Sequence, residues 1–138
     1  MRSLIVGLGT QGLKRKSNIK DQKVDTLDLF NKDADYHRYE DLDRDLYSHI
    51  YICLPEEEKL KAINFFLKKK VKILIEKPLI LHNKDYNKLI NQASILNSTI
   101  YTAYNHRFEP HLINLKKEFK LTKHKIYNLD MMYANGTI

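Results

Sequence analysis

The chain has 138 residues, 43% of them apolar and 30% charged, which allows one domain with a real core and is short for a complete two-domain enzyme. That balance excludes a disordered chain, and no run approaches the roughly 20 apolar residues that cross a bilayer, so no membrane partner is expected. The N-terminus passes from Met1-Arg2 straight into a strand-like segment without a signal peptide, and a cytoplasmic location is the expectation.

The formal net charge is +7, from 24 Lys+Arg against 17 Asp+Glu. Such an excess attracts polyanions, but the lysines are spread over several predicted helices and no nucleic-acid-binding motif accompanies them. Solvated helix faces are the expectation, with no nucleic-acid partner. Cys53 is the single cysteine and lies in the apolar run "IYICLP", which predicts a small packed hydrophobe and leaves no disulfide.

Along the chain, "SLIV" (3 to 6), "HIYICL" (49 to 54), "VKILI" (71 to 75) and "TIYTA" (99 to 103) are short continuous apolar runs. Runs of this kind suit strands buried on both faces of a parallel sheet. A weaker strand is expected over "KVDTLDLF" (23 to 30) and a minor one near Tyr36 to Arg38. From Glu56 to Lys69, Leu60, Ile63, Phe66 and Leu67 recur at helical spacing behind the acidic turn Glu56-Glu57-Glu58. Tyr86, Leu89, Ile90, Ala93 and Leu96 repeat that spacing, with Asn83 as the expected N-cap, and Pro110 opens a further helical pattern. Strand and helix thus alternate to about residue 119. The fold class expected is α/β: a doubly wound, mostly parallel Rossmann-type sheet with helices on both faces. The tail "KIYNLDMMYANGTI" (125 to 138) begins a new strand pattern.

Three stretches carry chemistry. In "GLGTQG", Gly7, Gly9 and Gly12 follow a buried-type strand and precede a helix, the setting in which a tight turn lets a helix N-terminus receive a pyrophosphate. Asp28 lies 21 residues beyond Gly7, where a carboxylate accepts both ribose hydroxyls of an adenosine. This favours NAD, with NADP possible because Lys32 is close in sequence. Lys14, Arg15 and Lys16 follow the loop directly; they either add positive potential near the phosphates or form a solvent-facing turn. In "ILIEKPL", Glu76 and Lys77 stand at the carboxyl end of a strand, the edge where open α/β sheets hold ligands, and Lys77 can polarise a hydroxyl and help move its proton. In "YTAYNHRFEP", Arg107 offers a planar fork for a carboxylate or phosphate, whereas His106 alone reads as a packed or hydrogen-bonded residue and not a catalytic base. The remaining histidines have no metal-ligand spacing, so no metal site is expected.

In order and spacing, "GLGTQG", "EKPL" and "YNHRFEP" resemble the Gfo/Idh/MocA family, named for glucose-fructose oxidoreductase and inositol dehydrogenase, over nearly the whole chain. The resemblance implies an NAD(P)-dependent oxidoreductase that transfers hydride between the nicotinamide and a sugar or sugar-nucleotide hydroxyl carbon. Lys77 matches the family's active-site lysine. The cofactor contacts implied are Gly7, Gly9, Thr10, Gln11, Gly12, Asp28, Leu54, Pro55, Glu76, Lys77, Asn105 and Arg107. The chain departs from the family pattern in three respects. A Thr-Pro-Asn-like loop reads Leu54-Pro55-Glu56 and is followed by Lys59 where a histidine is frequent; the first helix is short; and the substrate domain, due near residue 122, is almost wholly missing. Residues 1–121 are therefore expected to form the nucleotide-binding domain and 122–138 to begin the second. On its own the chain should bind nucleotide with little turnover, and a full-length form is expected to be a homo-oligomer. A non-catalytic nucleotide-binding or interaction module is the alternative.

Overall fold

The computed structural model describes residues 2–20 and 23–121. The expected first strand of a second domain, within residues 125–138, lies outside the described residues. Two compact units are present, Met1–Tyr104 and Asn105–Ile138.

The first unit alternates strand and helix except between its second and third strands, which only two 3-10 turns (Tyr39–Asp41 and Arg44–Leu46) separate: β1 (Arg2–Val6), α1 (Thr10–Asn18), β2 (Lys23–Leu27), β3 (His49–Ile52), α2 (Glu56–Phe66), β4 (Lys72–Ile75), α3 (Asn83–Ile95) and β5 (Thr99–Thr102). The strands form one sheet in the order β2-β1-β3-β4-β5, and every pair is parallel. The order reverses between β1 and β3, which makes that crevice the topological switch point of a Rossmann-type sheet.

Register explains why the strand sequences are continuously apolar. Leu4, Ile50 and Ile73 stand side by side, as do Val6, Ile52 and Ile75, and all of them are buried beneath Ala62, Ile63 and Phe66 of α2 and Leu89 of α3. On the opposite face Ile5 packs with Leu8 and Ala34 and with half-buried Val24, Tyr51 and Cys53. Helix α1 reaches that face through Gly12, where an added Cβ would stand 3.5 Å from Ile5 Cγ2. Helices therefore cover both faces, and each fully buried branched side chain contributes about 1.5–3 kcal/mol.

Several sequence expectations shift. The second strand stops at Leu27, and the minor strand reduces to one bridge between Leu27 and Tyr36. Asp28 ends the strand because its carboxylate caps the following turn, accepting from the N–H groups of Phe30 and Asn31, both at 2.9 Å. Helix α2 ends at Phe66, short of Lys69. Asn83 is the first residue of α3; the N-cap is His82, which makes no side-chain capping bond. In α3 the buried stripe is Leu89 and Ala93, while Tyr86 and Ile90 are 55% and 49% exposed. Their spacing satisfied a helical period without settling which side of the helix meets the sheet. Asn97 takes a left-handed φ of 49°, and Ser98 N–H donates to Ala93 O at 2.8 Å, a Schellman cap that turns the chain directly into β5. That strand is the sheet edge, so "TIYTA" is half covered instead of buried, apart from Ala103.

A polar cluster ties the amino ends of β1 and β2 together. The Asp25 carboxylate accepts from Arg2 Nε and, at 2.8 Å, from Tyr47 Oη. Burial works against the charge on Asp25, but the Arg2 and Tyr47 donors outweigh it and hold its pKa below the usual carboxylate value. The Tyr47 phenol is pushed up, first by burial and then by Asp25.

The second unit contains a 3-10 turn over Asn105–Phe108 and α4 (Pro110–Leu121), opened by proline as expected.

Candidate functional site

At the carboxyl edge of β1 the chain turns sharply at Gly7, whose φ of +93° suits glycine alone and whose added Cβ would meet Cys53 O at 2.7 Å. Gly12 is demanded by packing: a Cβ there would come within 1.9 Å of Gly7 O, so the turn and α1 touch backbone to backbone. Gly9 differs from both. Its φ and ψ of −69° and −170° suit any residue, and an added Cβ meets nothing within 4 Å. Neither backbone conformation nor packing therefore requires a glycine at that position, and its bare backbone leaves room for close approach from outside. Gly9 is the N-cap of α1 and makes no side-chain capping bond, so the helix begins with its first N–H groups turned to the open edge beside exposed Thr10 and Gln11. Such a terminus is suited to an anion.

Asp28 stands beside this loop. Its Oδ2 accepts from Leu8 N–H at 2.7 Å and braces the glycine turn, while Oδ1 accepts from Phe30 and Asn31 and caps its own loop. Asn31 adds a second tie from its side-chain amide to Leu8 O at 3.2 Å. Burial disfavours the Asp28 charge, yet the N–H groups of Leu8, Phe30 and Asn31 overcome that and set its pKa below the ordinary value. Asp28 is thus ionised at neutral pH.

Across the switch point, β3 and β4 present the remaining elements. Cys53 N–H donates to Val6 O and Glu76 N–H to Ile52 O, both at 2.8 Å, which brings the ends of three neighbouring strands level. Leu54 is half-buried in the core and Pro55 caps α2. Cys53 packs as expected, and burial, followed by the nearby Glu76 charge, pushes its thiol up to about 12. Glu76 is not turned toward open solvent: its Oε1 accepts from Arg15 Nε at 2.7 Å, so a residue read as either a phosphate attractor or a solvent-facing turn pins α1 to the end of β4. Lys77 is exposed and makes no hydrogen bond or ion pair among the described residues, and the Lys77–Pro78 peptide is cis.

Gly7, Gly9, Gly12, Asp28, Leu54, Glu76 and Lys77 are thus gathered along one edge of one sheet. Asn105 and Arg107 lie on the 3-10 turn of the second unit, where His106 and His111 both pair with Glu109. Among the described residues no group of His, Cys, Asp and Glu is placed to hold a metal ion, and no helix is long and apolar enough to cross a membrane. Sequence reasoning noted Lys59 only as standing where a histidine is frequent in the resembled family and missed its burial, which the charge pattern of α2 does not distinguish from that of exposed Lys61.

Comparison with known proteins agrees with this arrangement at the level of fold. No protein-family model matches the chain, and no curated protein matches it. Among solved structures, the WlbA dehydrogenase of Thermus thermophilus in complex with NAD and UDP-GlcNAcA superposes with a TM-score of 0.72 at 21% identity, covering 89% of this chain and 48% of that one. The UDP-N-acetylglucosamine 3-dehydrogenase GnnA of Acidithiobacillus ferrooxidans gives 0.67 at 19%, covering 86% and 43%. The scyllo-inositol dehydrogenase of Lactobacillus casei gives 0.67 at 15%, covering 87% and 41%. The chain spans less than half the length of each of these structures. These neighbours are Gfo/Idh/MocA-type dehydrogenases, and the chain has the Rossmann-type fold of their N-terminal part.

Proposed function

We propose that this chain is the cofactor-holding part of an NAD-dependent oxidoreductase, with residues 1–121 serving the nucleotide and residues 122–138 opening a substrate domain. The observation that carries this reading is Gly9, a glycine that neither backbone conformation nor packing requires, at the uncapped start of α1. The residues fit the group. A pyrophosphate would sit on the N–H groups of Thr10 and Gln11 above Gly9, and the adenosine ribose would hydrogen-bond to Asp28. The carboxylate favours NAD, since a 2′-phosphate would be repelled there. Across the switch point, Leu54, Pro55, Glu76 and Lys77 would border the nicotinamide end.

Bound NAD supplies the hydride acceptor for oxidation of a carbon bearing a hydroxyl. Lys77 Nζ orients that hydroxyl by a hydrogen bond and takes part in moving its proton. The substrate class proposed is a sugar or sugar nucleotide, in keeping with WlbA and GnnA, whose structures and names carry UDP sugars. A homo-oligomer is proposed for the form that carries both domains, in the cytoplasm. Isothermal titration tests the binding step: NAD and NADH should each give heat, and ADP-ribose should compete with both. No heat and no competition would sink the reading.

A further inference from the structure

Among the described residues Lys59 is the one buried lysine, at 2% exposure in the first half of α2. A buried ammonium is costly unless it is paired with a charge and hydrogen-bonded. Here Nζ donates to Glu56 Oε2 at 2.9 Å and also to the carbonyl of Pro78, the residue that follows Lys77. Glu56 extends the same grip: its Oε1 accepts from Ile80 N–H two residues further on. On the other side of Lys77, the Glu76 carboxylate is held by Arg15 and its N–H by Ile52 O. Residues 76, 78 and 80 are therefore fastened by hydrogen bonds to the body of the unit, while Lys77 between them is exposed and makes none among the described residues.

We infer that Lys59 is a positioning residue: with Glu56, and through the Pro78 carbonyl, it fixes the backbone of the 76–80 loop so that Lys77 is presented at the nicotinamide end of the site. This role rests on the dinucleotide reading above. An apolar side chain of similar length would fill the same volume in α2 and leave the helix packed, but it would leave the Pro78 carbonyl and a Glu56 oxygen without their donor. The loss falls on the loop that carries Lys77 and spares the glycine turn, which Asp28 and Asn31 brace independently. A lysine is also long enough to reach across from helix to loop while its four-carbon stem stays in the core.

The test uses the whole chain with isotope-labelled lysine and backbone amides, followed by NMR, with the Lys77 signal assigned by its disappearance in Lys77→Ala. In the wild type, ADP-ribose and NADH should both move the amides of the glycine turn, and only NADH should move the Lys77 ε-methylene. In Lys59→Met the glycine-turn response to ADP-ribose should persist while the Lys77 response to NADH is lost, and Lys59→Arg should recover it. A general loss of structure would instead abolish both responses, which separates positioning from packing. Should Lys59→Met fail to fold, Glu56→Gln carries the same comparison, since the amide nitrogen that replaces one carboxylate oxygen is a donor and faces either Lys59 Nζ or Ile80 N–H. A Lys77 response identical to wild type in folded Lys59→Met or Glu56→Gln overturns the inference. A wild-type glycine turn that responds while Lys77 stays silent also overturns it and leaves the dinucleotide reading standing. Silence at both places in the wild type removes the dinucleotide reading itself and the inference with it.

Discussion

Replacing Gly9 and Gly12 separately by alanine should split folding from nucleotide binding. At Gly9 the backbone already lies in an extended region open to alanine, and the new methyl meets nothing within 4 Å. Alanine is a poorer N-cap than glycine, but it narrows the unfolded ensemble, and these effects offset to within about 0.5 kcal/mol. At Gly12 the methyl would stand 1.9 Å from Gly7 O and 2.9 Å from its carbonyl carbon, both rigid backbone atoms. The turn or α1 must shift by about an ångström, and overpacking of this sort costs about 1–3 kcal/mol or more. Urea unfolding followed by circular dichroism should therefore show Gly9→Ala near wild type and Gly12→Ala clearly weaker. Titration with ADP-ribose should show the reverse emphasis: Gly9→Ala, still fully folded, should bind at least about tenfold more weakly, a loss of about 1.4 kcal/mol. Wild-type affinity in Gly9→Ala would refute the claim that the open space above that residue receives a phosphate. Undiminished stability in Gly12→Ala would refute the close contact between turn and helix.

Other outcomes follow from the charged groups. Tyr47→Phe keeps the buried ring but removes a donor to a buried carboxylate, and should lower unfolding stability by about 2 kcal/mol in urea. Asp25 and Asp28 both have folded pKa values below the ordinary 3.8, so the stability they contribute is complete above that value and is lost as pH falls through their lower folded values. The urea midpoint should accordingly hold from pH 7 to 5 and drop steeply below about 4. Asp28→Asn should flatten part of that drop and weaken NAD binding; an unchanged acid profile in the variant would remove Asp28 as a contributor. In a form that carries the substrate domain, Lys77→Ala should leave NAD affinity nearly intact and cut turnover, and unchanged turnover would remove Lys77 from its proposed role.

Much of this architecture was legible in the sequence because its signals are local. Continuous apolar runs between helical periods mark buried parallel strands, and "GLGTQG" after such a run marks a turn into a helix whatever the rest of the chain does. The pattern of charge and spacing also placed Asp28, Glu76 and Lys77 at strand ends, since each follows its strand by one or two residues.

What tertiary structure alone decided is which partner each side chain meets. Three glycines with one spacing differ in kind: Gly7 is required by its φ, Gly12 by contact with Gly7 O, and Gly9 by neither, a distinction that depends on atoms brought close from β3 and α1. Arg15 and Glu76 are 61 residues apart and meet only because α1 and the end of β4 share an edge. Lys59 reads as one more lysine in a charged helix until α2 packs on the sheet and draws it inside, against the carbonyl of Pro78. Sequence spacing determines which residues share a strand or a turn; burial and long-range pairing arise when separate elements close upon one another, and they assign those residues their work.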